Sequence, residues 1–134
     1  FDPDGTLARQ AEAELAACGV GTARGPAAVI VSSFWPADLE AVLAGDPARA
    51  TGLLVHPSLD PVAALDQAAG IGCVALHLFR AQVSAELVDR VHGRALSVAV
   101  WTVNEPADLA AASEAGVDVL ITDRVAEARA VLAG

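Results

Sequence analysis

Five short apolar runs recur along this chain at nearly constant spacing, and that spacing limits the fold more than any other feature. The runs are Ala28–Ser32, Thr51–Val55, Cys73–Leu78, Leu96–Val103 and Val117–Thr122. With Ala28, Thr51, Cys73, Leu96 and Asp118 as equivalent points, the steps are 23, 22, 23 and 22 residues. No hairpin turn separates the runs, and each step leaves room for one helix, so the pattern calls for parallel strands joined by crossover helices. Near-continuous apolar runs are also what strands buried on both faces require.

Helix signals fill the intervals. Pro36 to Ala44 precedes Gly45, Asp60 to Ala69 precedes Gly70, and Ser84 to His92 precedes Gly93. Asn104 to Ala115 precedes Gly116, and Asp123 to Ala133 precedes Gly134. Each segment therefore ends at a glycine, the residue best suited to close a helix. A leading helix from Asp4 or Thr6 to Cys18, before Gly19, carries Leu7, Ala11, Leu15 and Cys18 as one apolar stripe. The clearest unit is residues 98–123. There a β-branched strand to Val103 meets Asn104 as a helix cap, Pro106 is acceptable in the first turn, and Asp123 can cap the next helix.

A chain of 134 residues, 54% apolar, has the size and material for one ordinary domain, residues 1–134. A leucine-rich solenoid shares the period but needs an L-x-x-L-x-L signature that is absent. A doubly wound domain usually carries a glycine-rich phosphate loop, also absent. Compact βα steps fit an eight-stranded barrel of about 250 residues better. The expected fold class is α/β: the C-terminal portion of a (β/α)8 TIM-type barrel, about five βα units plus a leading helix. With a leading helix that no strand precedes, and Phe1 in place of Met, the missing half of the barrel is expected to be N-terminal.

The formal net charge of −9 excludes a basic stripe for nucleic acid, because the eight cationic residues are scattered arginines. With no lysine there is no P-loop and no Schiff-base lysine. Cys18 and Cys73 lack metal-ligand spacing and read as buried thiols in a reducing compartment. No apolar run approaches the roughly 20 residues of a membrane span, so the expectation is a cytoplasmic protein.

Three motifs carry a resemblance. Ser33-Phe34 follows the strand Val29-Ile30-Val31, Trp101-Thr102-Val103-Asn104 ends the fourth run, and Ile121-Thr122-Asp123 ends the fifth. In this order and at barrel spacing they resemble the SF, WTVN and closing TD of the glycerophosphodiester phosphodiesterases over roughly residues 28–132. Val125 stands where a proline usually follows TD. The resemblance implies a phosphoric diester hydrolase of glycerophospholipid metabolism, cleaving glycerophosphodiesters to glycerol phosphate and an alcohol with a divalent metal, Mg²⁺ or Ca²⁺. It also implies catalytic histidines in early H-R and H-D motifs and metal ligands in an E-x-D pair and a later glutamate. None has a counterpart here, so the isolated chain is expected to be inactive, with no catalytic residue and no metal ligand of its own.

What the chain retains, on this resemblance, is the wall of a substrate pocket. In a (β/α)8 barrel the site lies at the C-terminal strand ends, where Ser33, Phe34, His56, His77, Trp101 and Asn104 fall. Trp101 offers an apolar face to glycerol or to the alcohol, or else is barrel core. His56 and His77 close adjacent strands, with a metal or phosphate oxygen between them, or are separate rim histidines, His56 held in a turn by Pro57. Arg80 is the nearest phosphate contact in its loop, or a solvated arginine. His92 suits a helix C-terminus. The substrate-pocket set is Ser33, Phe34, His77, Arg80, Trp101 and Asn104.

Two other readings stay open. Phe1-Asp2-Pro3-Asp4-Gly5-Thr6-Leu7 matches the D-x-D-G-T of haloacid dehalogenase-type phosphatases, though only Phe1 precedes Asp2 where a buried strand is needed, and the phosphate lysine is missing. Its plainer reading is a turn into the first helix. Alternatively the half-barrel works by association, as a non-catalytic partner or as a homodimer through its two open sheet edges.

Overall fold

Parallel strands that pair in chain order, each joined by a right-handed crossover, place every connecting helix on one side of the sheet. The structure, a computed structural model, is built this way and describes residues 5–18 and 29–133. Helix α1 (Thr6–Ala17) leads into five strand–helix units: β1 (Ile30–Ser33) with α2 (Pro36–Gly45), β2 (Ala50–Leu54) with α3 (Pro61–Ile71), β3 (Ala75–Phe79) with α4 (Ala85–His92), β4 (Ser97–Trp101) with α5 (Pro106–Glu114), and β5 (Val119–Leu120) with α6 (Val125–Ala133). All neighbouring strands are parallel, in the order β1-β2-β3-β4-β5. A doubly wound sheet would reverse that order at a switch point. This one does not, and it is a run of five consecutive barrel units. No described helix is long and apolar enough to cross a membrane.

Register divides the side chains into two faces. Leu53, Leu76 and Val98 align across β2, β3 and β4, as do Leu78 and Val100 across β3 and β4. These residues point at the helices and pack with Leu39, Leu65, Leu87, Val88 and Leu109 in one core. Burying each such side chain contributes about 1.5–3 kcal/mol. The alternate rows, Gly52, Ala75 and Ser97, then Leu54, His77 and Ala99, then Phe79 and Trp101, form the inner face.

The expectation of burial on both faces holds for the three central strands and fails at the edges. Ile30 is 40% exposed and Val119 47%, because no further wall stands opposite them among the described residues. The leading helix is also less buried than its stripe implies, with Leu7 exposed and Cys18 an exposed thiol rather than a buried one. Cys73 is buried, and desolvation pushes its thiol up. What fastens α1 is Glu12, whose carboxylate accepts from Arg49 Nε at 2.9 Å and from its Nη2 at 2.8 Å.

Helix termini follow side-chain chemistry where it is local. Asp60 accepts from the Val62 N–H and Ser84 from the Leu87 N–H, so α3 and α4 are capped as their sequences require. Helix α3 runs past Gly70 and stops at Gly72, whose φ of 92° is a left-handed conformation that glycine adopts without a Cβ penalty. Helix α4 is followed by a turn in which Ala95, not Gly93, takes positive φ. Asn104 caps nothing, because Glu105 is the N-cap residue of α5. Residues 1–4, with the D-x-D segment, lie outside the described residues, as do Gly19 to Ala28.

Candidate functional site

Five parallel strands bring five strand ends to one rim, and two aromatic side chains of the inner face terminate there in register, Phe79 opposite Trp101. The half-buried Trp101 is held by its own polar atom: Nε1 donates to the His77 carbonyl at 3.0 Å. Two rings meet it edge to face, Phe34 with centroids 5.5 Å apart at 83° and Phe79 at 5.3 Å and 61°. Each such pair contributes about 0.5–1.5 kcal/mol beyond area burial. Together the three rings form an apolar ledge, and Phe34 remains 42% exposed on it.

One cation stands beside the ledge. The Arg80 guanidinium lies 4.7 Å above the Phe79 ring, and its Nε is 3.1 Å from Asp108 Oδ2. Stacking and ion pairing fix its direction while the side chain keeps 44% of its surface exposed. An arginine so held can meet a phosphate oxygen without first being ordered.

The two strand-end histidines do not pair across an opening. His56 is exposed in the loop after β2, where its Nδ1 accepts from the Ser58 N–H and lies 2.7 Å from Ser58 Oγ. His77 is only 7% exposed and rests on Gly52, where a Cβ would come within 2.5 Å of its Nε2. Desolvation lowers its pKa below the ordinary histidine value, so the ring is neutral at pH 7. Its Nδ1 is buried without a hydrogen-bond partner.

Ser33 and Asn104 are both engaged in hydrogen bonds to neighbouring residues. Ser33 aligns with Leu53 in the helix-facing row, and its Oγ donates to Asp38 Oδ2 at 2.7 Å and accepts from the Trp35 N–H. That places it off the inner face, against the expectation that it lines the pocket. Asn104 donates to Asp123 Oδ2 at 2.9 Å, and its Oδ1 accepts from Thr122 Oγ1 and the Asp123 N–H. The WTVN and TD motifs are therefore tied to each other at the ends of β4 and β5.

Four participants escaped the sequence reading. Phe79 lies two residues past His77 on the same face, and period-two alternation would have found it. Gly52 interrupts an apolar strand, itself a sign of close approach. Asp108 orients Arg80. Gln82 takes the Phe79 N–H on Oε1 and donates from Nε2 to the carbonyls of His56 and Leu59, joining two rim loops.

The divalent metal implied by the motifs does not fit this rim. Asp108 is paired with Arg80 and Asp123 with Asn104. Among the described residues no three His, Cys, Asp or Glu side chains are grouped to hold a metal ion.

The model of the glycerophosphoryl diester phosphodiesterase family matches residues 7–127. The chain belongs to that family. Solved structures agree on the fold. A Silicibacter pomeroyi protein named as a glycerophosphoryl diester phosphodiesterase superposes with TM-score 0.84 at 23% identity, over 96% of this chain and 44% of that one. A glycerophosphodiester phosphodiesterase from Parabacteroides distasonis gives 0.79 at 18%, over 96% and 51%. An Oleispira antarctica phosphodiesterase, solved with its product sn-glycerol-3-phosphate, gives 0.79 at 18%, over 98% and 52%. The chain thus spans about half the length of these relatives. Curated protein sequences return no match.

Proposed function

We propose that this chain forms the substrate-holding wall of a glycerophosphodiester phosphodiesterase. In that reaction water forms a new P–O bond, the P–O bond to the alcohol breaks, and the alcohol oxygen takes a proton. The observation that carries the reading is the ledge of Phe34, Phe79 and Trp101 at the strand ends, within a span that matches the family.

Trp101 and Phe34 hold the carbon skeleton of the glycerol or the alcohol, and Arg80 supplies positive charge toward the phosphodiester. His77, neutral and buried, is a positioning residue whose carbonyl accepts from the Trp101 indole N–H. Asn104 is a positioning residue that fixes the Trp101 loop. The divalent metal would supply charge neutralisation at the phosphate, and its ligands are not among the described residues. On this reading the chain alone turns over no substrate. The exposed inner-face residues Ile30, Val119 and Ile121 favour association with a further wall, whether the rest of a barrel or a second copy.

Heteronuclear NMR of the Trp101 indole N–H during titration with sn-glycerol 3-phosphate tests the reading. A saturable shift at Trp101 that is weakened in Phe34→Ala is expected. No shift at Trp101, or an equal shift at His92 on the opposite side of the sheet, would refute it.

A further inference from the structure

Beside the ledge lies a second concavity of about 400 Å³, lined by Phe34, Trp35, His56, Ser58 and Leu59. That volume is within the range of small-molecule sites. Its apolar surface is concentrated: Trp35 is 52% exposed and Leu59 55%. Among the described residues no carboxylate or guanidinium lines it. His56 Nδ1 is turned toward Ser58, lying 2.7 Å from its Oγ and accepting from its N–H. The groove is also pre-formed, since Gln82 holds the carbonyls of His56 and Leu59 and the Leu59 N–H bonds back to the His56 carbonyl.

Phe34 belongs to both sites. One side of its ring meets Trp101, and the His56 ring stands 6.4 Å away on the groove side. A ligand seated on Trp101 therefore continues past Phe34 into the groove without crossing a charged group among the lining residues.

We infer that this groove takes the alkyl chain of the substrate's alcohol, so that the preferred glycerophosphodiesters carry an apolar leaving group rather than a small polar headgroup. The inference rests on the reading of the ledge as a glycerol phosphate site. A quaternary ammonium headgroup could stack on Trp35 alone. Leu59 and the absence of acidic lining favour the alkyl chain.

The two tryptophans report on the two sites separately. Trp35→Phe and Trp101→Phe serve only to assign the two indole N–H resonances of the unaltered chain. The unaltered chain is titrated with sn-glycerol 3-phosphate, glycerophosphocholine, and glycerophosphodiesters of butanol, hexanol and octanol, followed at both indole N–H resonances. Glycerol 3-phosphate should perturb Trp101 only. The alkyl diesters should perturb both, with affinity rising about two- to fourfold per added methylene until the groove is full. Leu59→Asp should remove that dependence on chain length. Glycerol phosphate binding at Trp101 with Trp35 silent, or with no chain-length effect, overturns the groove and leaves the ledge reading intact. Glycerophosphocholine binding more tightly than the butyl diester also overturns it. No ligand affecting Trp101 overturns the ledge reading, and the groove with it.

Discussion

Gly52 and His77 illustrate how one missing Cβ sets the inner face. The imidazole occupies the space a side chain at position 52 would fill. Gly52→Ala should therefore overpack the face and destabilise the fold by about 1–3 kcal/mol in denaturant unfolding. The cost should fall in a His77→Ala background, because the colliding ring is gone. Equal costs in both backgrounds would mean that Gly52 acts only through the backbone. At this scale the sequence placed Trp101 and Phe34 at strand ends, and the structure brings their two rings into contact there. Ser33 differs from Phe34 by one residue, and its register puts it in the helix-facing row with Leu53. Asn104 shows a second kind of limit. An asparagine can cap a helix or bridge two loops with the same atoms, and only the arrival of Thr122 and Asp123 decides between them.

Elements were legible where their signals are local. Asp60 and Ser84 cap the helices they begin, and the five runs became five strands, each displaced by only a few residues. The turn between α4 and β4 was not legible, because positive φ falls on Ala95 (59°) rather than on the glycine two residues earlier. Ala95→Gly should relieve the left-handed strain and stabilise the fold by about 0.5–1 kcal/mol, less than the full steric cost because glycine also loosens the unfolded chain. A lower melting temperature in Ala95→Gly would contradict this.

Nearby, Asp118 joins the start of β5 to β4 and α4. Its Oδ2 accepts from the Val98 N–H at 2.7 Å and lies 2.9 Å from His92 Nε2. Partial burial pushes this carboxyl up, but the Val98 and His92 hydrogen bonds outweigh it and hold the pKa below the ordinary aspartate value. A depressed folded-state pKa contributes stability that is present above the unfolded value, near 3.8, and is lost as pH falls through the folded one. Wild type should exceed Asp118→Asn in stability at pH 7, with the difference shrinking below about pH 4. A difference that stays constant from pH 7 to acid would show that ionisation of Asp118 plays no part.

For the whole molecule, the repeat of 22 to 23 residues carried the architecture, because a parallel strand and its crossover helix need a length that little else satisfies. What the repeat could not convey is which face meets solvent. Ile30, Val119 and Ile121 are patterned like core residues yet are 40%, 47% and 39% exposed. Burying the exposed share of each recovers less than half of the full-burial value of about 1.5–3 kcal/mol, but the three together favour ANS binding or self-association in size-exclusion chromatography. A sharp monomeric elution without ANS fluorescence would show that the inner face is closed.

The central claim is that these residues hold a glycerophosphodiester while the groups that cleave it lie elsewhere. It is tested most directly by a phosphorus-31 NMR time course of the chain with an alkyl glycerophosphodiester and Mg²⁺ or Ca²⁺. The diester resonance should persist unchanged above the buffer control. A phosphomonoester resonance that grows in proportion to protein concentration, and vanishes when the metal is chelated, would place the catalytic machinery within this chain and contradict the account.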